Sequence, residues 1–456
     1  MPPTCARSCR PSRRTKTSPA TSCRVPSAPA ANRFQRPGAH AVSSPLTPAP
    51  THSAVADPSS ATSQRWMDKA KAHLLGNYKQ QPIVLERGQG SRVWDAEGKA
   101  YLDLLGGIAT CALGHCHPEA VAALKAQADK LWHVSNVFYS EPSIALAEQL
   151  TKASGLERAF FCNSGAEANE ALLKLARKAM KDRGQPERFE VLTFENSFHG
   201  RTLATVTATG QTKYQKGFEP LPPGFRHVPY GDLEAVKAAL SPATAAILVE
   251  PIQGEGGVRS APAGFLKALR ALCDEKGLLL LVDEIQTGMG RTGKPFAFQH
   301  EGIRPDAVSM AKSLGNGIPI GAMLCTEELG KALVPGTHGS TFGGNLLACA
   351  VANVVFRKVM DPKMLEEVSA KGEYFLSRAR ALQQRHPQLV KDVRGRGLLM
   401  GVELAQDVAP LIGRCREAGL LVNAAGEKTV RFAPAYIVTR EELDEGLAIL
   451  ERVLTA

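Results

Sequence analysis

The sequence of 456 residues contains no run of 18 apolar residues, which is the length that a membrane-spanning helix requires. It therefore predicts a protein without transmembrane segments. A chain of this length is sufficient to bury a large core and to form two or more domains.

The ten cysteines include no Cys-x-x-Cys pair, the spacing that is typical of structural zinc sites. Cys111 and Cys116 lie five positions apart beside histidines, so a metal site at this point is the alternative. We interpret the cysteines from Cys111 to Cys415 as reduced packing residues of an intracellular enzyme, and we expect no metal.

Acidic residues are absent from the first 56 positions, which hold eight Arg or Lys and ten Pro. Subtracting these eight charges from the formal net charge of +11 leaves +3, so the rest of the chain has no nucleic-acid-binding signature. A basic, Ser/Thr-rich segment without acids predicts a disordered transit peptide over residues 1–60. The prolines disfavour a long amphipathic helix, which favours a plastid over a mitochondrial transit peptide. The alternative to a transit peptide is an ordinary disordered tail.

Short apolar runs alternate with helical patterns through the middle of the chain, at residues 158–162, 190–194, 245–249, 278–282 and 307–310. This alternation predicts an α/β fold with a mostly parallel sheet that is covered by helices on both faces. Beyond about Thr341 a helical stretch leads to a small α+β segment with candidate strands at 398–402 and 430–432. We expect an N-terminal segment of a small domain over 61–115, a large domain over 116–345 and the C-terminal part of the small domain over 346–456.

Lys312 lies among small residues, 29 positions after Asp283, which ends one of the apolar runs. A lysine amine can react with the aldehyde of pyridoxal phosphate, and a buried carboxylate can keep the pyridine nitrogen of that cofactor protonated. Gly165 and Ala166 begin a helix after another run, where backbone N–H groups favour a phosphate. Together these features predict a pyridoxal phosphate site.

Further polar motifs follow the other apolar runs. Phe198 could stack on a cofactor ring and Arg201 could bind a carboxylate through two hydrogen bonds, although a core phenylalanine and a solvated arginine are the alternatives. The loop at 250–257 contains Glu255, the loop at 338–345 offers hydroxyl groups, and Arg394 precedes a candidate strand as a second carboxylate site. By themselves these segments are also compatible with ordinary turns.

The order of these motifs resembles that of the class III, pyridoxal-phosphate-dependent aminotransferases, from about residue 65 to the end of the chain. The matching stretches are 105–109, 113–118, 163–170, 198–201, 283–286, 311–312 and 340–341. The resemblance implies the type I fold of pyridoxal-phosphate-dependent transferases, with a large domain around a mostly parallel seven-stranded sheet and a smaller α+β domain. Thr110-Cys111 and Ser313 depart from the commoner residues of the family.

The resemblance also implies how the cofactor is held. Lys312 would attach it and act as the catalytic base, while Asp283 would pair with the ring nitrogen. The other cofactor contacts would come from Gly165, Ala166, Phe198, Glu284, Ile285, Gln286 and Thr341. Of these, Gln286 would bind the ring hydroxyl, and Thr341 would reach the phosphate of the other subunit in a homodimer.

For the substrates, the resemblance is greatest to family members that act on N-acetylornithine, with 2-oxoglutarate as the amino acceptor and glutamate as its product. Arg201 would bind the distant carboxylate of the amine donor, and Ser340 would contact the substrate. Arg394 would bind the carboxylate of 2-oxoglutarate beside the ring. Glu255 would pair with Arg394 and release it when the diacid binds.

Ile108 stands where ornithine aminotransferases carry a tyrosine, and an apolar residue suits a neutral N-acetyl group better. Ornithine and 4-aminobutyrate are the alternative donors. A glutamate-1-semialdehyde aminomutase shares the fold, but that family lacks the arginine that matches Arg201. A non-catalytic paralogue is expected to lose Lys312 or Asp283, and both are present.

Overall fold

The computed structural model describes residues 61–456, so the transit peptide predicted for residues 1–60 lies outside the described residues. Within 61–456, none of the helices combines the length and the apolar character needed to cross a lipid bilayer. The helices of this part of the chain are α1 (Ala61–His73), α2 (Gly106–Ala109), α3 (Pro118–Ala128), α4 (Glu141–Ser154), α5 (Gly165–Asp182), α6 (Leu203–Ala208), α7 (Leu233–Ala239), α8 (Phe265–Lys276), α9 (Glu327–Gly330), α10 (Leu346–Val359), α11 (Pro362–Arg385), α12 (Ala409–Glu417) and α13 (Arg440–Thr455). The strands are β1 (Leu85–Gln89), β2 (Arg92–Asp95), β3 (Ala100–Asp103), β4 (Arg158–Cys162), β5 (Glu190–Phe194), β6 (Phe225–Val228), β7 (Thr244–Val249), β8 (Ile252–Gln253), β9 (Arg259–Ser260), β10 (Leu279–Asp283), β11 (Ala307–Met310), β12 (Gly321–Cys325), β13 (Val390–Arg396), β14 (Leu399–Leu404), β15 (Leu420–Leu421), β16 (Asn423–Ala425) and β17 (Thr429–Phe432).

Seven strands form the central sheet, in the order β4-β12-β11-β10-β7-β5-β6. Strand β12 runs antiparallel to both of its neighbours, whereas the other pairings in the sheet are parallel. Successive residues of β10 pack into different apolar clusters: Leu279 and Leu281 on one face, Leu280 and Val282 on the other. The predicted α/β fold, with a mostly parallel seven-stranded sheet covered on both faces, is confirmed.

The five predicted apolar runs correspond to β4, β5, β7, β10 and β11. Strands β6 and β12 were not predicted from the sequence. Strand β6 is an edge strand with two exposed residues, so its hydrophobic pattern is weak. Strand β12 is fully buried, but Gly-Ala-Met-Leu-Cys contains no β-branched or aromatic residue and therefore has low strand propensity.

Two smaller sheets lie outside the central one. The first has the order β13-β14-β17-β16 with antiparallel pairing throughout, and β14 and β17 correspond to the two strands predicted for the α+β segment. In the second, β1, β2 and β3 form an antiparallel meander, and β15 joins β3 in parallel, with Leu420 opposite Leu102. The N-terminal and C-terminal parts of the described chain thus share a sheet. The division at 61–115, 116–345 and 346–456 stays a prediction.

Candidate active site

A cleft of about 230 Å³ opens where the loops that follow β4, β5, β7, β10 and β11 meet. The carboxyl ends of the parallel strands share one edge of the sheet, so the loops that follow them converge there. The cleft is lined by Gly165, Ala166, Phe198, His199, Gly200, Arg201, Glu250, Ile252, Asp283, Ile285, Gln286, Thr287 and Lys312. The structure thus brings together eight of the residues predicted for the site, namely Gly165, Ala166, Phe198, Arg201, Asp283, Ile285, Gln286 and Lys312.

Lys312 lies in the turn directly after β11, with a backbone φ of +43°. Burial lowers the pKa of its amine to about 8, and Arg431 adds to this effect while Glu255 and Asp283 oppose it. A lower pKa makes the neutral, nucleophilic amine accessible near neutral pH. The hydroxyl of the next residue, Ser313, donates to the carbonyl of Ala109 over 3.0 Å and so anchors the lysine turn to the α2 loop.

Asp283, at the end of β10, is 3% exposed and accepts three hydrogen bonds. Its Oδ2 accepts from Asn169 Nδ2 (2.7 Å) and from His199 Nδ1 (2.8 Å), and its Oδ1 accepts from the backbone N–H of Ile285 (3.0 Å). Asn169 is fixed in turn by the hydroxyl of Ser309, which donates to its Oδ1 over 2.7 Å. This network orients the carboxylate that would pair with a protonated pyridine nitrogen.

The Nε2 atom of His199 is buried and has no hydrogen-bond partner within residues 61–456. A proton on this atom would be a buried donor without an acceptor, which is costly. We therefore place a ring proton on Nδ1, which donates to Asp283. His199 and Asn169 lie within the sequence motifs 198–201 and 163–170, but no role was predicted for either residue.

The start of α5 has the features of a phosphate site. Ser164 caps the helix by accepting from the N–H of Glu167, whereas the N–H groups of Gly165 and Ala166 have no acceptor in the described chain. A Cβ atom on Gly165 would lie 2.7 Å from Ile285 Cδ1, so a larger side chain would displace this wall of the cleft. Two free backbone donors at a helix N-terminus provide an anion site.

Glu250 is a cleft residue for which the sequence predicted no role. Its carboxyl group accepts from the backbone N–H of Phe198 (2.9 Å) and of Gly254 (3.4 Å) and so joins the two loops that carry Phe198 and Glu255. Burial, with the nearby charge of Asp283, raises the pKa of Glu250 well above its usual range. Glu250 therefore supports the position of Phe198 rather than adding a fixed negative charge to the cleft.

Glu284 does not line the cleft, contrary to its predicted role as a cofactor contact. Its carboxylate accepts from the backbone N–H of Phe298 (2.9 Å) and from the hydroxyl of Thr287 (2.5 Å). Burial raises its pKa to about 7, although these two hydrogen bonds oppose the shift. Because β10 ends between Asp283 and Glu284, the neighbouring side chains point in different directions.

Ser340 and Thr341 also lie away from the cleft lining. The hydroxyl of Ser340 accepts from Asn163 Nδ2 (3.1 Å) and from the backbone N–H of Gly343 (3.0 Å), and Thr341 is exposed. The predicted contact of Thr341 with the phosphate of another subunit stays a prediction.

The predicted pairing of Glu255 with Arg394 is wrong. Glu255 Oε1 accepts from Arg431 NH1 (2.6 Å) and from Gln286 Nε2 (3.0 Å), so its partner comes from β17. Arg394, on β13, donates to Glu403 Oε2 (2.5 Å), to Asp392 Oδ2 (2.7 Å) and to a backbone carbonyl, and it does not line the cleft. Strands β13 and β17 lie on either side of β14, and they place their arginines in different surroundings, which the linear sequence did not reveal.

Arg431 is fully buried, and its NH2 group has no hydrogen-bond partner among the described residues. Its NH1 group also donates to Gln286 Oε1 over 3.0 Å. The pKa of Glu255 is lowered even though burial opposes this, because Arg431 and Lys312 stabilise the carboxylate. A sequence signal existed: Arg431 is the one charged residue in the otherwise apolar stretch Val430-Arg431-Phe432.

The donor set of the cleft fits pyridoxal phosphate. An amine of lowered pKa, an ordered carboxylate, two free backbone N–H groups at a helix start and the ring of Phe198 all lie around one cavity. When bound, the cofactor supplies an electron sink, and the surrounding residues supply attachment, charge and shape.

Comparisons with known proteins agree with this geometry. The family model described as aminotransferase class-III matches residues 75–454. The acetylornithine aminotransferase of Myxococcus xanthus is 71% identical over 379 residues, which is 83% of this chain and 94% of that protein. That of Pseudomonas putida is 50% identical over 385 residues, or 84% of this chain and 95% of that protein.

Solved structures give the same result. The N-acetylornithine aminotransferase of Stenotrophomonas maltophilia is 41% identical with a TM-score of 0.74, and the match covers 85% of this chain and 98% of that one. The ornithine aminotransferase of Toxoplasma gondii is 35% identical with a TM-score of 0.83, covering 86% and 95% of the two chains. The chain therefore belongs to the class-III aminotransferases and is a transaminase that uses pyridoxal phosphate.

Proposed function

We propose that this chain transfers the terminal amino group of N2-acetyl-L-ornithine to 2-oxoglutarate, giving N-acetylglutamate 5-semialdehyde and glutamate, a step of arginine biosynthesis. The observation that carries the proposal is the pair of arginines at the cleft: Arg201 in its lining and Arg431 behind Glu255. The relatives named acetylornithine aminotransferase support the choice of donor.

The two arginines would bind substrate carboxylates that lie at different distances from the reacting carbon. The donor reacts through its terminal amine, so its carboxylate lies several bonds from the reacting carbon, within reach of Arg201. The reacting carbon of 2-oxoglutarate carries a carboxylate itself, which needs a cation close to Lys312. Arg431 meets this need, because it is close enough to influence the pKa of Lys312 and its NH2 group has no partner within residues 61–456. Lys312 then moves the proton at the reacting carbon.

Glu255 is proposed to cover Arg431 during the first half-reaction. Glu255→Ala should slow the half-reaction with N-acetylornithine by about tenfold or more, because an uncovered Arg431 would attract the donor carboxylate in the wrong orientation. The half-reaction with glutamate should change less. Single-turnover rates from the absorbance of the bound cofactor measure both.

The matched control for this variant is Glu403→Ala. Glu403 pairs with Arg394 outside the cleft, so its loss should leave both half-reactions near their original rates. Equal effects of Glu255→Ala on the two half-reactions would contradict the proposed switch.

The choice of donor rests further on Ile108. This residue is 42% exposed and has a φ of +62°, which is strained for a β-branched side chain. The neighbouring carbonyl of Ala109 accepts the hydrogen bond from Ser313, which holds this loop beside the lysine turn. An apolar side chain at this place suits the N-acetyl group and offers no hydrogen bond to the free α-amino group of ornithine.

A panel of amine donors tests the proposed substrate. Purified holoenzyme is mixed with N-acetylornithine, ornithine or 4-aminobutyrate, and the loss of cofactor absorbance is followed at low donor concentration. We expect N-acetylornithine to react fastest. A faster reaction with either other amine would overturn the assignment, and turnover without 2-oxoglutarate would indicate an aminomutase.

Two features outside the cleft complete the proposal. Trp132, Phe138, Tyr139 (97% exposed) and Phe342 are large apolar side chains near the loop that contains Thr341, and burying them against a second copy would form a homodimer with shared sites. The composition of residues 1–60 supports a plastid transit peptide, with the mitochondrial matrix as the alternative.

A further inference from the structure

Arg201 is held by aromatic rings. The centre of its guanidinium lies 3.9 Å from the ring centroid of Tyr214 and 5.4 Å from that of Phe198. Within residues 61–456 it forms no ion pair with a carboxylate. The two rings themselves meet edge to face, with centroids 5.8 Å apart. Phe198, Tyr214 and Arg201 thus form one contact cluster, in which Phe198 and Arg201 line the cleft and Tyr214 lies against both of them.

Tyr214 is anchored to the same loop region as Phe198. It ends a short 3-10 helix, Thr212–Tyr214, which two glutamines tie down. Gln211 Nε2 donates to the carbonyls of Asn196 (3.3 Å) and Ser197 (3.1 Å). Gln215 Nε2 donates to three carbonyls around the end of α6, the shortest of these bonds being 2.9 Å to Thr209. The ring of Tyr214 is therefore a fixed surface.

We propose that Tyr214 is a positioning residue that orients Arg201 for the carboxylate at the far end of the substrate. An aromatic face attracts a guanidinium without using any of its five N–H donors, so the whole hydrogen-bonding edge stays available to the ligand. A neighbouring carboxylate would orient Arg201 equally well but would compete with the substrate for those donors. Tyr214 in this way selects substrates that carry a distal carboxylate. The inference rests on the proposed function for the identity of the amine donor.

The test compares two amines that differ only in the carboxylate. N-acetylputrescine has the chain of N-acetylornithine without the carboxyl group. In the holoenzyme, Tyr214→Leu removes the aromatic face, and it should raise the KM for N-acetylornithine by about 3- to 30-fold, the range of a cation–π contact. The KM for N-acetylputrescine and both kcat values should stay within about twofold of those of the unaltered enzyme.

Matched variants isolate the ring face from other effects. Tyr214→Phe keeps the face and should bind N-acetylornithine as the unaltered enzyme does. Lys213, whose ammonium lies 4.9 Å from the same ring, is tested by Lys213→Gln, which should change the KM less than Tyr214→Leu does. The double variant Tyr214→Leu with Arg201→Ala should have the same KM for N-acetylornithine as Arg201→Ala alone. Tyr214→Gln repeats the comparison if the leucine variant does not fold.

Two results in Tyr214→Leu would overturn the inference: an equal rise in the KM for N-acetylornithine and for N-acetylputrescine, or an unchanged KM for N-acetylornithine. A separate measurement distinguishes a failure of this inference from a failure of the proposed function, because it does not depend on the identity of the amine donor. Glutarate, a five-carbon dicarboxylate, is titrated into the holoenzyme and its dissociation constant is read from the cofactor absorbance. Tyr214→Leu should raise this constant by a similar factor even if the enzyme prefers another amine donor, and an unchanged constant would contradict the role of Tyr214.

Discussion

Replacing Lys312 with alanine should reduce turnover by roughly 10⁴-fold or more. The same amine attaches the cofactor and moves a proton at the substrate carbon, and proton transfer by a positioned base alone contributes about 10²–10⁴-fold. Steady-state assays with N-acetylornithine and 2-oxoglutarate measure the loss. The variant should still bind the cofactor, because the N–H groups of Gly165 and Ala166 and the ring of Phe198 are untouched. Absorbance after gel filtration reports the bound cofactor.

Lys312→Arg is the matched control. A guanidinium keeps the positive charge between Glu255 and Asp283 but stays protonated at all accessible pH values, whereas the pKa of Lys312 is about 8. The arginine variant should therefore be as inactive as the alanine variant, which would show that the neutral amine and not the charge is required. Turnover at the original rate in Lys312→Ala would falsify the assignment.

The second large effect is expected for Asp283→Asn, which should lower kcat by about 10²-fold or more. An opposite charge at contact distance shifts a pKa by about 1–3 units, and each unit changes the protonated fraction of the pyridine nitrogen about tenfold. Asparagine preserves the shape of Asp283 but not its charge, so the ring would lose its proton and its capacity to accept electrons. The pH at which the absorbance of the bound cofactor changes should shift together with kcat.

Glu284→Gln is the matched control for this prediction, since Glu284 is the neighbouring buried carboxylate. Its side chain does not line the cleft and accepts from the backbone N–H of Phe298 and the hydroxyl of Thr287, and its pKa of about 7 means that the neutral form is already populated near neutral pH. Its replacement should leave the kcat and the cofactor spectrum nearly unchanged. A loss as large as that of Asp283→Asn would mean that the charge of Asp283 is not the decisive feature.

The network around Asp283 explains why sequence patterns found the carboxylate but not its supports. Asp283 stands at the end of an apolar run, which is visible in the sequence. Asn169 lies one turn inside α5 and His199 in a loop after β5, 114 and 84 positions away from Asp283. Their hydrogen bonds depend on the order of strands in the sheet, and no local pattern encodes that order.

The strands likewise include some that the sequence predicts and one buried strand that it does not. Apolar runs such as those of β7 and β10 are continuous because both faces of these strands are covered, and the sequence therefore predicts them. Strand β12 is equally buried, yet it was not predicted, since it contains no β-branched or aromatic residue. In the fold it is held by antiparallel pairing with β4 and β11.

Local chemistry was therefore sufficient to predict the class of fold, the cofactor and eight of the residues that line the cleft, because strand ends, helix starts and a lysine turn lie in short stretches of chain. Only the folded structure distinguishes which arginine, Arg394 or Arg431, lies behind Glu255 at the cleft. Arg394 precedes one candidate strand and Arg431 lies within the other, but only the packing of the folded chain places Arg394 against Glu403 and buries Arg431 against Glu255. The stack of Arg201 on Tyr214 likewise arises from two segments that only tertiary packing brings together. Charge pairing across such distances depends on which surfaces meet, and composition and spacing do not specify that.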